Sequence, residues 1–227
     1  MFRKVLVASR MRRLGRLAVS ALALWHASAF AELNIEITVP GSNRIPVAIA
    51  DFGGDAASAR IVTSVIRADL ERSGLIKIVD SAGTTMTETA APSYGEWKSR
   101  GADALAAGSL SDAGNDRREA RFRLYDVNKS SVLTGSAFLT SKAMLRATGH
   151  RIADMIYEKL IGERGVFSTR VSYVVRVSPT RYELQVSDAD GQNPQVALVS
   201  REPIISPTWS PDGTRIAYVS FENKKPV

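Results

Sequence analysis

The first half of the chain predicts a long helix that packs between two strands. A nearly continuous apolar run at 45–52 is typical of a buried strand. Apolar residues then recur at helical spacing from Asp55 onward, until Ser73-Gly74 ends the helix. A second apolar run at 76–79 completes a strand–helix–strand unit. Such a unit favours two parallel strands that are covered by the helix.

The residues that follow predict antiparallel strands and a second long helix. A strand of small residues at 102–110 precedes two alternating stretches at 117–127 and 132–139, which predict a hairpin with one solvated face. An apolar stripe within 142–160 predicts the second helix. The polar segment 81–93 is expected to be a loose surface loop, because Thr and Ala dominate it.

A change of pattern divides the chain into two predicted domains. Residues 32–165 are expected to form an α+β or α/β domain, a mixed sheet with two main helices. From Phe167 onward the pattern is of strands alone, which assigns residues 166–227 to a second domain. Short strands follow one another there at even intervals, at 170–177, 182–187 and 196–200.

The last hairpin of the chain has the pattern of a β-propeller blade. The turn formers Ser210-Pro211-Asp212-Gly213 follow Pro207 and Trp209. Pro211 fixes φ at the first corner of the turn, and Gly213 supplies a positive φ. The strand at 216–221 is apolar on both faces, which predicts burial on both, as in stacked blades. Since a blade takes about 40–45 residues, we expect 166–227 to be roughly one blade of a truncated, incomplete propeller.

A basic and then apolar segment opens the chain, as in a secretory signal. Six of the 30 basic residues precede Glu32, and none of the 23 acidic residues does. The apolar core at 17–25 is shorter than the roughly 20 residues of a spanning helix. Ala29-Phe30-Ala31 predicts cleavage between Ala31 and Glu32, so residues 1–31 are expected to be a signal peptide. The remaining 24 basic and 23 acidic residues give no support for nucleic-acid binding.

The chemistry-bearing residues show no catalytic pattern. The chain has no cysteine, and neither the Gly-x-Ser-x-Gly motif nor a phosphate loop occurs. His150 in the second long helix shows no partner in the sequence and is expected to pack or to face solvent. Asp188, Asp190 and Asn193 are expected to cap turns rather than to bind calcium. We therefore expect no catalytic, cofactor-binding or metal-binding residue. The basic cluster Arg117, Arg118, Arg121 and Arg123 is expected to be a solvated strand face.

The segment behind the predicted cleavage site alternates polar and apolar residues like a half-exposed strand. Pro40-Gly41 ends it. Because its backbone groups are unpaired, it is either a tail or a strand that adds itself to the sheet edge of another protein. The sequence alone favours the tail. The segment comprises Glu32, Leu33, Asn34, Ile35, Glu36, Ile37, Thr38 and Val39.

These parts, in this order, resemble the TolB family of periplasmic proteins from Gram-negative bacteria. The resemblance runs from the signal to the last residue, and the hairpin around Trp209 completes it. Its most specific earlier pieces are Leu145-Arg146, Gly149-His150, Ala153-Asp154, Tyr157-Glu158-Lys159-Leu160 with Gly162, Phe167 with Thr169-Arg170 and Tyr173-Val174, Tyr182-Glu183-Leu184, Val186-Ser187-Asp188 and Asp190-Gly191.

The resemblance implies an α/β domain followed by a six-bladed propeller, and a non-enzymatic adaptor of the Tol-Pal system. It implies that TolA binds the mature N-terminus, which corresponds by position to residues 32–39. It implies that the lipoprotein Pal binds the propeller, a contact that we expect to be lost with so few blades. The expected location is the periplasm, and the expected role is outer-membrane invagination and envelope integrity during cell division.

Two alternatives stay open at this point. In the first, the chain is the propeller-gating part of an exported peptidase-like hydrolase whose catalytic domain is missing. In the second, it is a stand-alone secreted binding domain built on the α/β part.

Overall fold

The computed structural model describes residues 44–222 and 225–226. The predicted signal peptide at 1–31 and the strand predicted at 32–39 lie outside these residues. Among the described residues, no helix is long and apolar enough to span a membrane. The first part of the fold, residues 44–162, is called the α/β region below, and residues 170–220 are called the strand region.

The α/β region is a mixed sheet with two long helices on one face, which confirms the predicted fold class. The strands lie in the order β3-β1-β4-β5-β6, with β2 paired to β4. β1 pairs in parallel with β3 and β4, whereas β4, β5 and β6 are antiparallel. The elements are β1 Ile45–Ile49, β2 Gly53–Gly54, α1 Ala56–Arg72, β3 Ile76–Val79, α2 Tyr94–Ser99, β4 Ala104–Asp112, β5 Arg117–Asp126, β6 Ser131–Ser141 and α3 Leu145–Ile161.

The main core lies between the sheet and the two long helices. Val47, Phe122 and Leu124 of the sheet are buried there against the apolar stripes of α1 and α3. Gly149 lets the two helices approach closely, because a Cβ atom at this position would lie 2.9 Å from the Val65 side chain. Helix α3 ends at Gly162, whose left-handed φ of 86° favours glycine.

The opposite face of the sheet has a smaller core, and here one expectation was wrong. Residues 81–93 are not a loose surface loop: Met86 is buried and packs with Trp97 below β1 and β4. The Met86 amide donates to the Asp51 carbonyl at 2.8 Å, and the Met86 carbonyl accepts from Gly108 at 3.0 Å. Since β1 and β4 are apolar on both faces, the second face needs a cover, and this segment supplies it.

The strand region consists of two small antiparallel sheets, in agreement with an incomplete propeller. One sheet has the order β7-β8-β9, and the other is the hairpin β10-β11. The hairpin turn has the predicted chemistry, because Gly213 has a φ of 66° and the Asp212 carboxylate accepts from the Thr214 amide at 3.1 Å. The strands are β7 Arg170–Ser178, β8 Arg181–Asp188, β9 Gln195–Ser200, β10 Ile204–Trp209 and β11 Ile216–Ser220.

The expected burial of the last strand on both faces was wrong. In β11, Ala217 and Tyr218 are exposed, and Ile216 and Val219 are only half-buried. A strand that is apolar on both faces needs a neighbouring layer on each face to be buried. No described residues form both of these layers around β11. Further exposed apolar side chains in the strand region are Val171, Val177, Val196, Val199 and Ile205.

Candidate functional site

A polar stripe on helix α3 faces the strand region. Arg146, His150 and Asp154 follow one another at intervals of four residues and therefore lie on one side of the helix. The apolar stripe of the same helix, which includes Ile152 and Ile156, packs into the main core. Helix α3 thus contacts the sheet with one side and the strand region with another.

The contact between the polar stripe of α3 and the turn after β8 is called the junction below. Arg146 forms an ion pair across it. Its guanidinium donates a short hydrogen bond to the Asp190 carboxylate, and its Nε lies 3.6 Å from Oδ2 of Asp188. Asp188 is the last residue of β8, and Asp190 lies in the turn that follows. The side chains of Arg146 and Asp190 are 28% and 12% exposed, so the pair is largely shielded from water.

His150 is buried at the centre of the same junction. Its Nδ1 lies 2.5 Å from Oδ2 of Asp69, a fully buried carboxylate on α1. Its Nε2 points to the other side, 3.9 Å from Oδ2 of Asp188 and 4.0 Å from Oδ2 of Asp190. The expectation that His150 lacks a partner was therefore wrong, because the partners come from segments 81 and about 40 residues away in the chain.

The turn after β8 fixes the two carboxylates. The Gln192 amide donates to Asp190 at 3.0 Å, and the Asn193 side-chain amide donates to Asp188 at 2.8 Å. These bonds confirm the predicted turn-capping role. Burial acts to raise the pKa of Asp190, but the Gln192 hydrogen bond and the Arg146 guanidinium outweigh it and hold that pKa below its ordinary value.

Asp154 anchors the segment that joins α3 to β7. Its carboxylate accepts hydrogen bonds from the amides of Phe167 at 2.7 Å and Ser168 at 3.0 Å, and a short one from the Ser168 hydroxyl. The Phe167 ring packs edge-on against Tyr157 of α3, with 5.5 Å between the ring centroids. The connecting segment is therefore held on the helix through both its backbone and its side chains.

A cleft of about 660 Å³ lies beside these contacts, between α3 and strands β7 and β8. Arg146, His150, Arg170 and Asp188 line it. The donor types of His150, Asp188 and Asp190 suit a metal ion, and their ligand atoms lie within 4.8 Å of one another. Arg146, however, is already paired with both carboxylates. The guanidinium therefore supplies the positive charge that a metal ion would bring.

The hairpin residues singled out in the sequence contact β7 within the strand region. The Arg170 guanidinium of β7 lies 5.1 Å from the centre of the Trp209 ring and donates to the Gly213 carbonyl at 3.2 Å. The Ser210 hydroxyl and the Thr214 amide hold the pKa of Asp212 below its ordinary value. Trp209 and Gly213 thus connect the hairpin to β7, and Ser210 and Asp212 bond within its turn. The structural role assigned to Pro207 and Pro211 stays a prediction.

Two residues with shielded polar contacts were not predicted from the sequence. Asp69 shares the apolar stripe of α1 with Val62 and Leu70, and an acid in such a stripe is a sign of a buried partner. Arg118 belonged to the expected solvated cluster, yet its side chain is only 11% exposed. It lies 3.5 Å from Asp55 and 3.1 Å from Asp112. The predicted partner-binding residues 32–39 lie outside the described residues.

Comparison with known proteins matches both parts of the chain. The model of the TolB amino-terminal domain matches residues 33–133, and that of the TolB β-propeller domain matches residues 157–227. The Tol-Pal system protein TolB of Dechloromonas aromatica is 58% identical over 96% of this chain and 51% of its own length. That of Bordetella pertussis is 50% identical over 93% of this chain and 48% of its own length.

A solved structure agrees with these relatives. The crystal structure of TolB from Acinetobacter baumannii superposes with a TM-score of 0.71 at 34% identity, and the match covers 81% of this chain and 45% of that one. The chain spans about half the length of the curated relatives that it matches.

The fold and the junction together define a protein with an α/β region joined by a helix-borne ionic contact to propeller-type strands. Arg146, His150, Asp154, Asp188 and Asp190, which carried the sequence resemblance, are the residues that form this contact. The chain belongs to the TolB family of the Tol-Pal system.

Proposed function

We propose that this chain is a non-enzymatic, periplasmic adaptor of the Tol-Pal system, which supports outer-membrane invagination and envelope integrity during cell division. The observation that carries the proposal is identity of 50–58% to Tol-Pal proteins over 93–98% of the chain. The hydrolase alternative is not favoured, because these relatives match the α/β region and the strand region in one alignment.

The polar groups of the junction support a mechanical role. Arg146 is engaged by carboxylates of the strand region, and Asp154 by backbone amides of the connecting segment. Groups engaged in this way hold two parts of a protein together. A cleft whose charged groups are already paired with one another is suited to joining domains rather than to activating a substrate.

We further propose that the two domains, residues 32–165 and 166–227, bind different partners. Residues 32–39 add to a sheet edge of TolA, since an alternating strand offers both backbone hydrogen bonds and side-chain specificity. Pal is the partner of the propeller. Residues 166–227 supply about one blade of it.

A co-purification experiment tests this proposal. The chain, secreted and processed, is incubated with the periplasmic domains of TolA and Pal, and a matched variant lacks residues 32–39. We expect TolA to be retained by the chain and lost by the variant, whereas deletion of residues 32–39 should leave the retention of Pal unchanged. If the chain retains neither partner under conditions where a complete TolB retains both, the proposed function is wrong for this chain.

A further inference from the structure

Helix α3 meets the strand region at a cluster of fully and partly buried charges that is one positive charge short. With a neutral imidazole, the three carboxylates have two guanidinium groups within 3.6 Å, those of Arg72 and Arg146, among the described residues. Arg170 lines the same cleft, but its guanidinium bonds to the Gly213 carbonyl within the strand region. The groups that face His150 or its immediate partners are Asp69 and Arg72 from α1, Arg146 from α3, and Asp188 and Asp190 from the end of β8 and its turn.

The position of His150 shows where the missing charge belongs. The side chain is 2% exposed, and its Nε2 has no hydrogen-bond partner among the described residues. When Nδ1 donates its proton to Asp69, a neutral ring presents a bare nitrogen lone pair to the oxygens of Asp188 and Asp190. Acceptors that face one another with no proton between them repel, although Asp188 and Asp190 have donors on their other sides in Asn193, Gln192 and Arg146.

A proton on Nε2 reverses this arrangement. The imidazolium carries N–H donors on both sides of the ring, one toward α1 and one toward the strand region. It then balances the third carboxylate and adds an attraction between the two regions. Arg146 alone does not supply this attraction, because its guanidinium already engages Asp190 and approaches Asp188.

We propose that His150 is a proton-operated latch that fastens the strand region to the α/β region. Histidine is the side chain whose charge ordinarily changes between pH 5 and 8. The latch is closed by the imidazolium at the acidic end of this range. As the pH rises and the proton leaves, Asp188 and Asp190 face a neutral ring, and the junction opens more often. The pH of the compartment thereby sets how rigidly the two regions move together.

Hydrogen exchange measures the opening of the latch. The Phe167 amide donates to the Asp154 carboxylate of α3 at 2.7 Å, so its exchange reports on release of the connecting segment from the helix. Its exchange, corrected for the chemical effect of pH, is followed from pH 5.5 to 8 in the full chain. We expect exchange to be about tenfold faster at pH 8, which corresponds to the loss of one hydrogen bond to a charged group. The His150→Gln variant carries a neutral amide that cannot be charged in this range. It should therefore show the same exchange at pH 5.5 and at pH 8.

His150 can also be followed directly. After cleavage between Ala31 and Glu32, His150 is the one histidine left in the sequence, so the imidazole NMR signal belongs to it. We expect this signal to change with pH in parallel with the Phe167 exchange, and Asp190→Asn to move that change to lower pH. Asp80→Asn, in an exposed turn of the α/β region, is the matched control and should preserve the pH response. This arm holds even if His150→Gln fails to fold.

Three results would overturn the latch. One is a corrected exchange rate that does not depend on pH in the wild-type chain. Another is a pH response that persists in a folded His150→Gln variant. The third is protection at pH 8 that returns on addition of zinc chloride in the wild type only, because a metal ion would then be the natural occupant of the cluster.

Discussion

Removal of the Asp154 carboxylate should loosen the strand region although Asp154 does not contact any of its strands. Asp154 accepts three hydrogen bonds from Phe167 and Ser168, of which the bond to the Phe167 amide is the most shielded. A hydrogen bond to a charged group contributes about 1.5–3 kcal/mol, and the exposed bonds to Ser168 contribute less. We therefore expect Asp154→Ala to lower the free energy of opening by about 2 kcal/mol, which corresponds to roughly 30-fold more frequent opening.

The assay must separate opening of the junction from local loss of a bond. The Phe167 amide loses its own acceptor in Asp154→Ala, so its exchange rises whether or not the junction opens. The Arg146 guanidinium donates to Asp190 across the junction, so exchange of its N–H protons is the reporter and is expected to rise roughly 30-fold. Asp80→Ala is the matched control, since Asp80 caps an exposed turn of the α/β region through the Ala82 amide. Faster exchange at Phe167 with unchanged exchange at the Arg146 guanidinium would refute the reasoning.

Three further predictions concern packing, acid stability and the exposed strands. Gly149→Val should destabilise the chain by about 1–3 kcal/mol in urea unfolding, because its side chain would displace Val65; an unchanged midpoint would show that the helices can separate freely. The pKa of Asp190 is lowered below 3.8. Its contribution to the free energy of unfolding is therefore complete above that pH and disappears as the pH falls through the folded-state pKa. Asp190→Asn should reduce the loss of stability below about pH 4 in urea unfolding. Limited proteolysis should cut residues 166–227 before 44–165, because Val196, Ile205 and Tyr218 are exposed; equal resistance of both parts would contradict this.

The elements of the fold were readable from the sequence because their signals are local. The apolar spacing in α1 and α3 and the alternation in β5 predicted these elements within a few residues of their observed bounds. The hairpin turn was readable for the same reason, since Asp212 and Gly213 determine its geometry between them.

The junction was not readable because its partners are distant in the chain. The Asp69–His150 contact joins residues 81 positions apart, and the Arg146–Asp190 contact joins residues 44 apart. Periodicity reports which face of an element is apolar, but not which polar residue of another element will meet it. The prediction that β11 is buried was wrong for a related reason. An apolar strand pattern indicates that the strand needs a packed layer on each face, but not whether that layer is present.

The measurement that tests the central claim most directly is a double-mutant cycle between Arg146 and Asp190. Their side chains are 28% and 12% exposed, which places the pair between a surface ion pair and a buried one. We expect a coupling free energy of about 1–2 kcal/mol from urea unfolding of Arg146→Met, Asp190→Asn and the double variant. The exposed pair Arg121–Glu119 is the matched control and should give less than about 0.5 kcal/mol. A coupling at Arg146–Asp190 no larger than that of the control would contradict the claim that the polar stripe of α3 holds the two regions together.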